Sequence, residues 1–235
     1  MNTDRIDFIS AYCDRWCERC AFTQRCSACA CDVATAMCDG DLAAGIALAV
    51  GVPQPAGGGR EKAVGDRLLE QYEEPSAQEI AAAMEEERAR AERVESAEIS
   101  QVAWTYMMLS HEWLKRRDPP PADADPVVRE ALDIVAWDST LVGAKLHRAL
   151  LARERSAEEA WPDDDPVQND ANGSAKVALI SLERSESSWR AIAQAGRDAQ
   201  AADLEALAAR LRALVGGEFP HAMAFVRPGF DEPWR

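Results

Sequence analysis

All seven cysteines of this chain lie between Cys13 and Cys38, and none occurs in the remaining two hundred or so residues. Their spacing is C-x3-C-x2-C-x5-C-x2-C-x-C-x6-C. An odd count cannot pair completely within one chain. The N-terminal MNTDRIDF has acids where a secretory leader would have a basic start and an apolar run. The expected compartment is therefore the reducing cytoplasm, where disulfides are not the default. Metal ligation or redox chemistry is the better reading for residues 1–40, and the spacing of the cysteines favours a metal.

On a helix turning about 100° per residue, Cys13, Cys17 and Cys20 would fall within roughly 60° of one another. Cys26, from the turn that follows, completes a four-thiolate set. Close thiolates repel one another, and a positive centre removes that cost. An iron–sulfur cluster suits four thiolates in a short segment. Zinc usually takes two C-x2-C pairs with more chain between them than separates Cys17/Cys20 from Cys26/Cys29. Copper(I) accepts soft sulfur ligands as well. The order of expectation is a 4Fe-4S cluster, then Zn2+, then Cu(I). The C-x3-C-x2-C of Cys13, Cys17 and Cys20 resembles the motif of radical S-adenosylmethionine enzymes over eight residues. That family sets its motif after a strand in an alternating strand–helix domain. This chain shows no such alternation, and a fourth ligand at Cys26 would close the iron that the cofactor needs.

A formal net charge of −15 repels phosphate backbones, so nucleic acid is not an expected partner. Leu42 to Val50 is the longest weakly polar run, about half of what a membrane-spanning helix requires. After it, Pro53, Pro55 and Gly57 to Gly59 read as a linker. From residue 75 the periodicity is helical throughout. Ser76 and Glu79 form a capping box that opens a charged helix, which weakens near Ser96. Ile99, Val102, Tyr106, Leu109 and Trp113 mark the next, and Asp118 with three prolines ends it. A third helix covers about 127–153. A fourth covers about 174–195, with start signals at Asn172, Gly173 and Ser174. A fifth carries Leu204, Leu207, Leu211 and Leu214 in heptad spacing before a Gly-Gly stop. The expected fold is all-α: an antiparallel helical bundle of about four long helices with a small N-terminal cysteine-rich metal-binding module. Its parts are the module at 1–40, linker or irregular chain at 41–74, bundle at 75–216 and a tail at 217–235. Phe219, Phe225, Phe230 and Trp234 should fold the tail back onto the bundle.

Several charged residues sit on or beside the apolar stripes. Asp138 and Lys145 lie seven apart on the third helix, and Lys176 and Glu183 seven apart on the fourth. Charges at such positions are costly unless paired. They mark either a polar site in the bundle, with Asp170 and Asn172 at a helix start, or salt bridges that set helix register. The di-iron Glu-x-x-His pairs are absent, and neither NGSAK nor the acidic run EEAWPDDDPVQND matches a phosphate or calcium loop. No Ser–His–Asp or Cys–His arrangement is recognisable. The leading expectation is a binding or regulatory protein with a protein partner. A metalloenzyme or electron-transfer component using Asp138, Lys145, Asp170, Lys176 and Glu183 comes second, and a metal-storage or metal-sensing protein third.

Overall fold

The structure, a computed structural model, describes residues 4–50, 74–117, 125–158 and 165–231. Among them are seven α-helices and no strand. These are α1 (Ser27–Met37), α2 (Leu42–Val50), α3 (Ala77–Ser96), α4 (Glu98–Lys115), α5 (Pro126–Glu158), α6 (Asp170–Gly196) and α7 (Ala199–Glu218). The expected all-α class is thus the observed one. The chain divides into two compact units, residues 1–10 with 15–89, and residues 11–14 with 90–235. The linker motif Pro53 to Gly59, the prolines after Asp118 and Trp234 lie outside the described residues.

In the first unit, 3-10 turns at Cys17–Arg19 and Thr23–Arg25 lead into α1, which pairs with α2. Leu42 to Val50 was expected in irregular chain. It is helical because Asp41 caps it, its carboxylate accepting from the Ala44 amide at 3.0 Å. The turn between the helices uses left-handed backbone at Asp39 (φ 53°) and Gly40 (φ 87°), so the Gly40 amide reaches the Thr35 carbonyl at 2.9 Å. Gly45 makes the close approach possible. A Cβ there would lie 2.5 Å from the Thr35 Cα and 2.7 Å from its backbone nitrogen, and would also strike its hydroxyl. Gly45→Val should therefore force the two helices apart at a cost of about 1–3 kcal/mol. Amide hydrogen exchange would show it as lost protection in α1 and α2. Gly216→Val is the control, since nothing lies within 4 Å of that position.

In the second unit, α4 to α7 pack as a ring whose main contacts run between adjacent helices, α4 with α5, α5 with α6, α6 with α7 and α7 with α4. Side-chain pairs fix their directions. Asp138 meets Arg184 and Arg148 meets Asp170, so α5 and α6 run antiparallel. Arg190 meets Glu205 and Glu186 meets Arg212, which does the same for α6 and α7. Arg210 meets Glu98 while Arg117 meets Asp198, and α7 opposes α4. The core holds Tyr106, Trp113, Val135, Leu146, Trp189 and Leu211, all 3 % exposed or less. The Trp189 indole donates to the Tyr106 hydroxyl at 3.1 Å, and its ring meets Trp113 edge-on at 4.9 Å.

The capping box forms as expected, with Ser76 and Glu79 bonding each other reciprocally. The weak point near Ser96 is a break of one residue: Ala97 is extended (ψ 140°) between α3 and α4. Other helix limits differ from expectation. On α4, Leu109 is 51 % exposed, and Ala103 and Ser110 occupy the buried stripe instead. The cap of α6 is Asn169, whose side chain accepts from the Asn172 amide at 2.9 Å. Asn172 to Ser174 therefore lie inside the helix. The Gly216–Gly217 pair also stays helical, through Glu218. Between α6 and α7 the chain turns on Arg197 (φ 48°) and Asp198. Asp198 caps α7 and accepts from the Trp113 indole and the Arg117 guanidinium, each at 3.1 Å. In the tail, Phe219 and Phe225 are buried and Phe230 is half-buried.

Candidate functional site

Cys13 to Cys20 are not on one α-helix. Cys17 opens a 3-10 turn, Cys20 closes it in extended backbone, and α1 starts only at Ser27. The local reason is Arg15, which is left-handed (φ 59°) and interrupts any helix between Cys13 and Cys17. Two sulfurs accept backbone amides: Cys20 Sγ from Phe22 at 3.4 Å, and Cys26 Sγ from Cys29 at 3.4 Å. Cys26 is the N-cap of α1, so its sulfur lies at the positive end of that helix. Cys29 and Cys31 lie in α1 and Cys38 ends it. No disulfide joins any of the seven. Among the described residues no group of three His, Cys, Asp or Glu side chains is arranged to hold a metal ion. Around them, Arg19 lies 3.8 Å over the Trp16 ring and Arg25 pairs with Asp4 at 3.1 Å.

The second unit holds residues 11–14 firmly. Lys145 Nζ donates to the Ala11 carbonyl at 2.9 Å, and Trp137 Nε1 to the Asp14 carbonyl at 2.8 Å. Arg184 spans Asp138, with bonds of 2.8 and 2.6 Å, and the Asp14 carboxylate at 3.0 Å. Burial pushes the Asp138 carboxyl up. Arg184 opposes this through its hydrogen bonds and charge, while the Asp14 charge adds to it. The Tyr12 ring lies 4.7 Å from that of Phe225, over Gly173, where a Cβ would strike Tyr12 and come within 2.8 Å of Phe225. Burial, the Asp170 charge and a hydrogen bond to Asp170 push the Tyr12 hydroxyl up, and Arg148 opposes them.

The five expected bundle residues are therefore distributed. Asp138, Lys145 and Asp170 belong to the network around residues 11–14, Asp170 through its two-pronged pair with Arg148. Lys176 points elsewhere, to the Met223 and Phe225 carbonyls at 3.2 and 2.6 Å and to Asp231 at 2.7 Å. Glu183 is exposed and joins neither group. Arg184, Trp137 and Tyr12 were not singled out by sequence. Nothing in the helical periodicity ties Arg184 and Trp137 to Tyr12 and Asp14, more than a hundred residues away. A separate cleft of about 550 Å³ opens between α4 and α5, lined by Trp104, Met107, Leu146 and His147 among others, and it too has no sequence signature.

Asp231 clamps the tail. Burial works to raise its carboxyl, but hydrogen bonds from Arg227 and Lys176 hold it well below the ordinary carboxylate range. A depressed folded value gives stability that is present above the unfolded value of 3.8 and lost as pH falls below it. Asp138, displaced upward, works in the opposite sense, so the clamp must be isolated by difference. Limited proteolysis of the last residues should quicken below about pH 4 in the wild type. Asp231→Asn should be cut quickly at neutral pH, with little further change on acidification.

Helices as the one kind of regular structure among the described residues, with every cysteine between Cys13 and Cys38, define this as an all-α, cysteine-clustered protein. No protein-family model matches the chain, and no curated protein or solved structure is similar to it. No helix among the described residues is long and apolar enough to cross a membrane.

Proposed function

We propose that the protein binds a metal centre through Cys13, Cys17, Cys20 and Cys26, an iron–sulfur cluster before zinc, in a small N-terminal module of an otherwise helical-bundle protein. The observation that carries this reading is the confinement of every cysteine to a span of twenty-six residues, Cys13 to Cys38. Backbone amides that donate to the Cys20 and Cys26 sulfurs add support, since ligating sulfurs commonly accept such bonds. Thiolates repel one another until an ion neutralises them, so a site of this kind closes as the metal enters. The role proposed is binding or regulation with a protein partner. Val33, Met37, Leu42 and Leu48 on the α1–α2 pair, each 56 % exposed or more, would suit such a contact. The enzyme reading has less support, since Asp138, Lys145, Asp170 and Lys176 are already taken by partners within the fold.

Purification without air, followed by metal analysis and visible spectroscopy, tests this. A brown protein with iron and acid-labile sulfide in equal amounts identifies the cluster. One zinc in a colourless protein identifies a structural clip. Several copper ions per chain would favour storage. Material that contains no metal and takes none up would end the reading.

A further inference from the structure

We propose that the cleft of about 550 Å³ between α4 and α5 binds a small aromatic amine in its cationic form, with the ring on Trp104 and the ammonium at Glu95. The site lies wholly within the second unit and does not involve the cysteines.

In the lining, Ala103 and Leu146 are buried, Met107 is half-buried and Trp104 is 60 % exposed. Five tryptophans fall among the described residues, and four of them are engaged. Trp16 lies under Arg19, Trp113 meets Trp189, Trp137 donates to the Asp14 carbonyl and Trp189 to the Tyr106 hydroxyl. Trp104 alone has neither a hydrogen bond nor a ring contact among the described residues. An exposed indole offers its face to a flat ring or a cation, and the Met107 thioether suits the edge of a ring. Gly143 keeps the volume open. Glycine weakens a helix interior, and the usual reason for one there is a close neighbour that a Cβ would strike. Here a Cβ would meet nothing nearer than the Met107 sulfur at 3.8 Å, an ordinary contact. The missing side chain therefore leaves space in the cleft rather than room for another helix. The lining also sets the charge of the ligand. No Lys or Arg side chain lines the cleft, whereas Glu95 does, exposed and without an ion-pair partner among the described residues. The Gln101 side-chain amide donates to the Glu95 carbonyl at 2.7 Å, which leaves its oxygen to accept. An anion here would face a carboxylate. An ammonium would gain a counter-ion, an acceptor and an indole face together. The volume falls within the roughly 300–1,000 Å³ that small-molecule sites occupy.

The test is a ligand-detected NMR titration of the full chain with three probes that share one ring. Phenethylamine is the cation, phenethyl alcohol the neutral analogue and 3-phenylpropionate the anion. Phenethylamine should bind saturably and about tenfold more tightly than 3-phenylpropionate, with the alcohol between them. Glu95→Gln should remove that preference, and Trp104→Ala should weaken phenethylamine about tenfold. Gly143→Leu should abolish binding with the melting temperature kept or raised, because leucine fills the cleft and is the better helix former. His147 is the other titratable side chain on the lining, and the order of affinities should persist in His147→Gln. Val127→Ala, at an exposed position at the start of α5, is the control and should bind as wild type. No saturable binding by the wild type, an anion held as tightly as the cation, or undiminished binding in Gly143→Leu would overturn the inference. Should Gly143→Leu not fold, Glu95→Gln and Trp104→Ala, both at exposed side chains, decide in its place.

Discussion

If Cys13, Cys17, Cys20 and Cys26 hold the proposed metal centre, Cys17→Ser is expected to lower bound metal to near zero, while helices α4 to α7 keep their circular dichroism. Serine replaces a soft, ionisable sulfur with a hard alcohol that stays protonated at neutral pH. A four-thiolate site so reduced loses much of the roughly 10–16 kcal/mol with which structural zinc sites of this class bind. Cys17 is the residue of choice because it opens the 3-10 turn that Cys20 closes, and its neighbours Trp16 and Arg19 stack on each other without it. Metal analysis on air-free protein reads the first half of this expectation, and thermal melting reads the second. Metal content equal to wild type would remove Cys17 from the ligand set. Collapse of the whole chain would contradict the division into two units.

Trp189→Ala should produce the largest stability loss of any single change in the second unit. Its side chain is fully buried, meets Trp113 edge-on and donates to Tyr106. Emptying that volume costs about 3–5 kcal/mol, and loss of the hydrogen bond adds about 1 kcal/mol. Against a typical total of about 5–15 kcal/mol, this takes a large share of what holds the unit together. In melting temperature it corresponds to a fall on the order of 15 °C. Trp189→Phe, which keeps most of the ring contact and loses the indole donor, should fall by only a fraction of that. Denaturant unfolding of the two variants separates packing from hydrogen bonding. Equal melting of Trp189→Ala and wild type would mean that the core closes elsewhere.

Much of the helical layout was legible without coordinates, because helix formation answers to local signals. The Ser76–Glu79 box, the break at Ser96, the apolar stripe from Ile99 to Trp113 and the leucines of α7 each act within a few residues of chain. Errors fell where a local signal met a tertiary one. Leu109 carries the right spacing for the core of α4, yet the stripe turns toward Ala103 and Ser110 to fit its neighbours. Asn172 to Ser174 look like a cap, but Asn169 reaches the amide first and the helix begins earlier. Gly216 and Gly217 look like a stop, but the turn to Phe219 comes after them.

By itself, the sequence determined an all-α chain, the crowding of every thiol near one end, and charges on the helical stripes that had to find partners. Only the tertiary structure decided which partners these were. Helical periodicity places Asp138 and Lys145 on a common face, but it carries no information about a segment at residues 11–14. That segment arrives by long-range packing, when Tyr12 covers Gly173 and Asp14 completes the valence of Arg184. A buried charge states in sequence that it needs a counterpart. Which counterpart answers is settled by what the fold brings within about 3 Å, the range over which a charged hydrogen bond acts.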